Sequence, residues 1–595
     1  MGRVRCLVVL LVLALATPYL SHIISPGSAA GNQDAQVNYI TSCTNITSPG
    51  YYELASNLTG YQTTHYCIGV FSSNVVLDGG GHALNGAPPR GPMGLEGIYV
   101  GEASGNVTID NVIVENYYYD VYTAGDAVMV KDVTAKGGMY GFYILGNYST
   151  LQSIAASTYM DGVYVGGFGD VVEAATLNGN YYFGVYLAGR GDVVRNSNFI
   201  DDGLFLSFKA SYLLPNYTVV NDTVNGRPLV YIYNESNVSV RYAGEVIAID
   251  SANLALVGLN LSNSSVGAEL LNVNSSRVVN VTATGIYYGY GFYVVGNYNL
   301  FKNDTGGAAR DVTDVVGFLV IGNYNTIEDS RTSWDQTGLN VSGNDNLIRE
   351  VSADMNMNGV LLNGNYNFLS NLSANSDNEG LYITGNYNTV ENVTASYDYG
   401  GLKVSGNNNT IEDVRTNFNK DYGLKVSGSD NVVEGSYFIG DGDYAIVLFR
   451  SSGDLIYNNF FNDTRYIDLA PWVTIPWAFW NVSLKQGKNI IGGSVIGGNV
   501  WVSPNGTGFS QTCAPVPSEP EICDRPFNIG GNNTDYLPLR YVRAMSTTTS
   551  AATAQTSSTS PAPPVRARGP SALTAVVVAS ALIVTVVVVL ALRRR

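Results

Sequence analysis

Gly380-Leu-Tyr-Ile-Thr-Gly-Asn-Tyr-Asn-Thr-Val-Glu-Asn-Val-Thr-Ala-Ser-Tyr-Asp-Tyr-Gly400 carries the reading of the chain. Leu381 and Ile383 alternate with polar neighbours, a Gly-Asn turn follows, and Val390 and Val393 return to the apolar side after it. Apolar runs this short exclude a helical repeat, which needs an amphipathic run of about ten residues or more at a 3.6 period. The turn recurs at Gly296, Gly322, Gly343, Gly364, Gly385, Gly406 and Gly428, and the four from Gly343 to Gly406 lie 21 residues apart. A fixed period of that size marks a solenoid in which each unit is one supersecondary turn. The expected fold is therefore all-β, a right-handed parallel β-helix whose strands pair with their counterparts one coil later, about 4.8 Å away.

Working outward, the same grammar appears at Gly125-Asp126, Gly146-Asn147, Gly167 and Gly189-Arg-Gly-Asp192. Coils are expected over residues 74–203, with divergent coils and an insertion over 204–285 and regular coils over 286–470. Solenoid ends need caps, and the non-repetitive, Cys-bearing or aromatic segments 31–73 and 471–544 sit where caps belong. Asn299, Asn325, Asn346, Asn367, Asn388, Asn409 and Asn431 fall in one column. An asparagine there tolerates a left-handed turn and can donate to a carbonyl of the coil above, so the column reads as a structural amide ladder.

Arg3 and Arg5, the apolar run Cys6 to Ala16 and Ser28-Ala29-Ala30 read as a signal peptide over residues 1–30. Ser571 to Leu592 is long and apolar enough to cross a bilayer as a helix, and Arg593-Arg-Arg595 after it is expected to stay cytoplasmic. Residues 545–570, rich in Ser, Thr, Ala and Pro, read as a disordered stalk and a candidate for O-glycosylation. The expectation is a single-pass cell-surface protein with an extracellular body. Four cysteines remain after export, and the local pairs Cys43 with Cys67 and Cys513 with Cys523 are favoured as disulfides. Roughly twenty Asn-x-Ser/Thr acceptors, Asn280, Asn340 and Asn392 among them, suggest a glycoprotein, although Asn-rich repeats also create such triplets by accident.

The formal net charge is −17, and Lys/Arg clusters are confined to the termini, so nucleic acid is a poor partner. The chain holds 42 tyrosines. Tyr298, Tyr324, Tyr366 and Tyr387 share one turn position and could stack sugar faces, which makes them the candidate glycan contacts. Their high β-propensity is the competing explanation, and Asp345 and Asn408 interrupt the stripe. For hydrolysis two carboxyls about 5–10 Å apart are required. The pair Asp201 and Asp202 and the column Glu391, Glu412, Glu434 are the candidates, but the glutamates follow inward residues and should face solvent with no basic group beside them. No catalytic residue is assigned.

Several segments resemble the right-handed β-helix proteins related to the periplasmic copper-binding protein NosD, in particular a cell-surface branch common in archaea. They are Ile40-Thr-Ser-Cys43 with Val75-Val-Leu-Asp78-Gly-Gly-Gly-His82, then Val224-Asn-Gly-Arg-Pro-Leu-Val-Tyr231 and Ala243-Gly-Glu-Val-Ile247, and at the end Ile496-Gly-Gly-Asn-Val-Trp501 with Asn532-Asn-Thr-Asp-Tyr-Leu-Pro-Leu539. The resemblance implies copper chemistry, yet the exported body has only the histidines His65 and His82 and one thioether pair, Met355 and Met357, besides cysteines expected to be paired, so no metal or cofactor is expected. The expected function is a non-catalytic surface solenoid contacting polysaccharide or surface-layer proteins. An anchored polysaccharide lyase, epimerase or hydrolase is the alternative, and a copper-site maturation factor a third.

Overall fold

The computed structural model describes residues 37–60, 65–86, 96–207, 216–309, 314–469 and 476–542. The segments read as signal peptide, stalk and membrane span lie outside them. Among the described residues no helix is long and apolar enough to cross a membrane.

The chain winds as a parallel β-solenoid of right-handed type with about eighteen turns. Each full coil lays down three short strands on three faces. Face one of the first stack runs from Val37–Ile40 through Val75–Asp78 and Val107–Asp110 to Thr218–Val220, nine strands in parallel. Face two runs in eight strands from Thr44–Ile46 to Leu204–Leu206. Face three carries Ala83–Asn85, Ile113–Glu115, Thr134–Lys136 and their successors. The ladder takes in Val37–Ile40 and Gly50–Leu54, so residues assigned in the sequence to an N-terminal cap already form coils. Cys43 and Cys67 are bonded to each other beside adjacent strands of face two.

Alternation explains each strand. In Asn358–Asn363, Val360 and Leu362 point into the core while Leu361 lies half-exposed between them. Each inward aliphatic stacks on its register mate, as Leu339, Val360, Leu381, Leu402 and Leu424 do, all fully buried.

The turn from face two to face one is held by the asparagine column. The Asn346 N–H donates to Asn367 Oδ1 at 2.9 Å and Asn367 N–H to Asn388 Oδ1 at 2.9 Å, while Asn367 Nδ2 donates to the Gly343 carbonyl at 3.0 Å. The left-handed residue is not the asparagine but the one before it: Tyr298, Tyr324, Asp345, Tyr366, Tyr387 and Asn408 have φ of 56–60°. The asparagine stays in an ordinary conformation because its amide must reach inward to two coils at once. Asn367→Ala leaves a buried N–H and a buried carbonyl without partners, and at about 1–3 kcal/mol for each such group the variant should lose on the order of 3 kcal/mol in urea titration.

A second column fills the turn from face three back to face two: Asp335, Asn356, Asp377, Asp398, Asn419, Asp441 and Asp463, all buried. Each backbone N–H donates to the side chain one coil later, for example Asp377 N–H to Asp398 Oδ1 at 2.8 Å and Asp398 N–H to Asn419 Oδ1 at 2.9 Å. Aspartate and asparagine alternate here without a change in geometry.

The divergent stretch is a junction between two stacks. Thr223–Val224 turns back antiparallel on Arg227 and Pro228, and a new ladder starts with Arg227–Tyr233 and Glu245–Ile249. Strand Glu245–Ile249 is buried on both sides: Val246 and Ala248 join the core of the second stack, Ile247 and Ile249 that of the first. The last strand of face two in the first stack donates from the Leu204 N–H to the Glu245 carboxylate at 3.2 Å and from the Leu206 N–H to Glu269 at 3.2 Å. Both glutamates are fully buried, and burial pushes their carboxyls well above the usual range.

The far end closes on aromatic residues. Trp501 stacks on Phe461 with centroids 4.6 Å apart, and its indole N–H donates to the buried Asp535 at 2.9 Å. Asn533 accepts from Trp480 Nε1 at 3.0 Å, and Cys513 is bonded to Cys523.

Candidate glycan-contact surface

The sequence candidates Tyr298, Tyr324, Tyr366 and Tyr387 are exposed, but as two separate pairs. Tyr298 and Tyr324 stack at 4.9 Å, Tyr366 and Tyr387 at 5.0 Å, and the Asp345 charge in the gap between the pairs raises the Tyr324 hydroxyl above the ordinary tyrosine value. Four stacked rings in two islands make short contacts, not a platform.

A longer array lies on face two of the first stack. Tyr99, Tyr122, Tyr143, Tyr164, Tyr186 and Phe205 are in register on successive strands. Their ring centroids follow one another at 5.5, 5.5, 4.3, 5.2 and 5.4 Å, and Tyr66 extends the row at 5.4 Å from Tyr99. Five intervals of about 4.8 Å make this a strip of about 24 Å. Four of the five contacts are near-parallel, while Tyr164 meets Tyr186 edge-on at 63°; the near-parallel rings at about 5.5 Å are offset, so part of each of those faces stays uncovered. A second row flanks it, with Tyr119 and Tyr140 stacked at 5.2 Å and Tyr119 against Tyr143 at 4.8 Å. Partial burial raises the Tyr99, Tyr122 and Tyr164 hydroxyls above the ordinary tyrosine value and pushes Tyr119 up to about 12. The strip stays uncharged on a chain of net charge −17. In the second stack the same register reads Leu319, Asn340, Leu361, Tyr382, Lys403 and Lys425, so the strip belongs to the first stack.

Sequence reading passed over this row although its signal was present. Gly97-Ile-Tyr-Val, Gly141-Phe-Tyr-Ile, Gly162-Val-Tyr-Val, Gly184-Val-Tyr-Leu and Gly203-Leu-Phe-Leu repeat one pattern, and strand alternation turns each aromatic outward between two buried aliphatics.

The acidic candidates do not converge. Asp201 is exposed, whereas Asp202 is fully buried and takes the Asn180 amide at 2.6 Å. Glu391, Glu412 and Glu434 form an outward column in register, and Glu434 accepts a hydrogen bond from the Tyr457 hydroxyl. A different pair does come together across coils. Asp329 and Glu350 line one groove that also presents Lys302 and Arg331, and Asp329 lies 3.4 Å from the Lys302 ammonium.

Among the described residues the candidate copper ligands do not come together. His82 Nδ1 is engaged 3.2 Å from Asn57 Oδ1, the four described cysteines are paired, and Met355 and Met357 stand exposed on either side of the buried Asn356. Among the described residues no group of three or more His, Cys, Asp or Glu side chains could hold a metal ion. No copper step is derived.

Residues 308–506 match the family described as periplasmic copper-binding protein (NosD). No curated protein matches the chain. Among solved structures, the A-module of Azotobacter vinelandii mannuronan C-5 epimerase AlgE6 is 10% identical over 75% of this chain and 90% of its own, with a TM-score of 0.20. PfbA, a surface adhesin of Streptococcus pneumoniae, is 10% identical over 59% of this chain and 84% of its own, with a TM-score of 0.23. A tailspike protein mutant of E. coli bacteriophage HK620, in complex with a hexasaccharide, is 9% identical over 74% of this chain and 71% of its own, with a TM-score of 0.22. Likenesses this low carry no argument about what the chain binds. Residues 308–506 are thus similar to the NosD family, and the parallel coils beneath that segment fit the β-helix such a match implies.

Proposed function

We propose that this is an exported, non-catalytic surface protein whose solenoid contacts glycans through the tyrosine strip of its first stack. The observation that carries this reading is the unbroken row from Tyr99 to Phe205, an uncharged aromatic strip about 24 Å long at the coil period. Tyrosine rings offer apolar faces to the C–H side of a pyranose and hydroxyls to its edge. The rings are half-buried, and the Phe205 end packs against Tyr290 and Tyr293, so the faces open to a ligand lie along Tyr99 to Tyr164. The pairs Tyr298 with Tyr324 and Tyr366 with Tyr387 would be outlying contacts of the same kind. Export is supported by the two disulfides and by the periplasmic family match. The span 571–592 would anchor the body at the cell surface, with 545–570 as its stalk, and neighbouring surface-layer proteins are the other partner class.

The test is retention of the full chain on insoluble neutral polysaccharides. Tyr143→Ala combined with Tyr164→Ala should weaken retention at least tenfold, since each removed ring is worth about 0.5–1.5 kcal/mol beyond its area, with no new reducing ends in either case. Unchanged retention by the double variant would refute the strip, and product formation would turn attention to the carboxyls.

A further inference from the structure

On another edge of the solenoid, where face one turns into face three, a polar groove of about 850 Å³ runs across the second stack. Its floor is a column of left-handed residues, one per coil: Asn280, Asn303, Asp329, Glu350, Asn371 and Asn392. Five coil intervals make the trough about 24 Å long. Asn303 Nδ2 donates to Asn280 Oδ1 at 2.6 Å and Asn392 Nδ2 to Asn371 Oδ1 at 2.6 Å, so the amides at both ends are ordered in pairs with hydrogen-bonding capacity to spare. All four begin Asn-x-Ser/Thr triplets, so the groove is a site of the unglycosylated chain, to be tested on protein without N-glycans. Ser352, Ser373 and Thr394 add hydroxyls along one wall.

Charge concentrates at the centre. Glu328 is clamped between Lys302, at 2.8 Å, and Arg349, whose Nε lies at 2.8 Å. Lys302 also reaches Asp329 at 3.4 Å, so Lys302, Glu328, Asp329 and Arg349 form one ion-pair network, and Glu350 lines the groove with them. The groove's other cation stands apart from that network. Arg331 lines the groove from face three, is exposed, and makes no ion pair among the described residues.

We propose that this groove binds an extended acidic glycan, a uronate-bearing polysaccharide, with Arg331 as the anchor for a sugar carboxylate. A guanidinium presents a planar fork that matches a carboxylate in two parallel hydrogen bonds. On a chain of net charge −17 an anionic polymer is repelled almost everywhere, so a groove that admits one must supply an uncommitted cation. Amides and hydroxyls repeating at the coil spacing suit an extended chain of sugar units, and a short ligand would leave most of them unused. The Asp329 and Glu350 carboxylates, both lining the groove, can accept hydrogen bonds from sugar hydroxyls. No bond is made or broken. The site is independent of the tyrosine strip in position and in chemistry.

The experiment is titration calorimetry of the full chain with a hexagalacturonate, a hexamannuronate and a hexaguluronate, set against a neutral hexaose. At least one uronate hexamer should bind, the neutral one more weakly. Arg331→Ala should weaken uronate binding at least tenfold, Arg331→Lys less, and Asn371→Ala a few-fold, with Arg331→Ala leaving the melting temperature and the retention of neutral polysaccharides unchanged. Absence of binding to all three uronates, equal binding of the neutral hexamer, or indifference to Arg331→Ala would each overturn the assignment. Because neutral retention reads the strip and uronate binding reads the groove, either can fail without the other.

Discussion

Between about pH 4.5 and pH 8 the fold should become progressively easier to unfold, the reverse of ordinary acid denaturation. The cause is the buried column in the turn from face three to face two. Asp335, Asp398 and Asp441 are pushed up to about 8 and Asp377 to about 9, in each case first by burial. Asp377 Oδ2 and Asp398 Oδ2 have no partner among the described residues, so an ionised carboxylate there would be unpaired. In the unfolded chain these groups titrate near 4. Below that value both states are protonated and the column holds at full strength. Between about 4 and 8 only the unfolded chain releases its protons, and even one such carboxyl then lowers the unfolding free energy by about 1.4 kcal/mol per pH unit. Above the folded value the loss levels off. Glu328, held below its usual value by Lys302 and Arg349, has the opposite sign, but its contribution is lost only as pH falls below the ordinary carboxylate range. Urea midpoints at the two pH values test this, and a midpoint that is flat or rises with pH would refute it. Asp377→Asn should flatten the profile, with little effect at the acid end and a clear gain at pH 8. Asparagine already serves at positions 356 and 419, and Asn419 Nδ2 finds the Ala395 carbonyl at 3.0 Å, a partner one coil back that the new amide could match.

Gly385→Ala should be the most damaging small substitution in the second stack. A Cβ at Gly385 would lie 1.9 Å from the Gly364 carbonyl oxygen, and Gly385 has φ of 134°, which side chains rarely adopt. The obstacle is backbone in the coil above, itself fixed by its own neighbours, so no rotamer change relieves it. Gly343, Gly364 and Gly406 meet the preceding carbonyl at 1.8–1.9 Å in the same way, as does Gly146 in the first stack at 1.8 Å. The repeated glycine is thus what lets coils approach at this turn. A loss on the order of 3 kcal/mol or more is expected, comparable to other severe backbone or packing lesions. Gly226→Ala is the contrast: φ is 72° but nothing lies within 4 Å, so only the left-handed conformation costs, about 1–2 kcal/mol. Equal losses for the two variants in urea titration would show that the clash is relieved by a shift of the coils.

The coil period and the parallel solenoid could be read from one 21-residue stretch, because each coil repeats the same local demands: a glycine at the close approach, an amide at the inward turn, aliphatics at alternate positions. The asparagine column followed from the same spacing. What the spacing did not show was which residue takes the left-handed conformation. That was given to Asn388 and its equivalents and belongs to Tyr387 and its equivalents, because the inward amide is what the coil uses and the residue before it turns the chain. The tyrosine strip was legible in Gly141-Phe-Tyr-Ile and its fellows but is outnumbered by tyrosines at turns. The stretch 204–285 stood out as divergent, but that it joins two stacks was not legible, since only three dimensions show Glu245 and Glu269 facing the end of the first stack. The groove was hidden for a related reason: Lys302, Asp329 and Glu350 are separated by more than 20 residues each and become neighbours only when coils stack.

The strand Glu245–Ile249, which faces two cores at once, also sets how the molecule comes apart. A repeat array holds together largely through nearest-neighbour terms, so fraying from one end can peel coils singly. At this strand the peeling rule changes. Removing it strips the first stack of its cover and leaves the Leu204 N–H without its Glu245 acceptor, just after loss of the neighbouring strand Val266–Leu271 has taken Glu269 from the Leu206 N–H. Denaturation that begins at the far end should therefore stall there, leaving residues 37–224 with the strands that cover them as a surviving half, visible as a plateau in hydrogen exchange where a uniform array would show a smooth gradient.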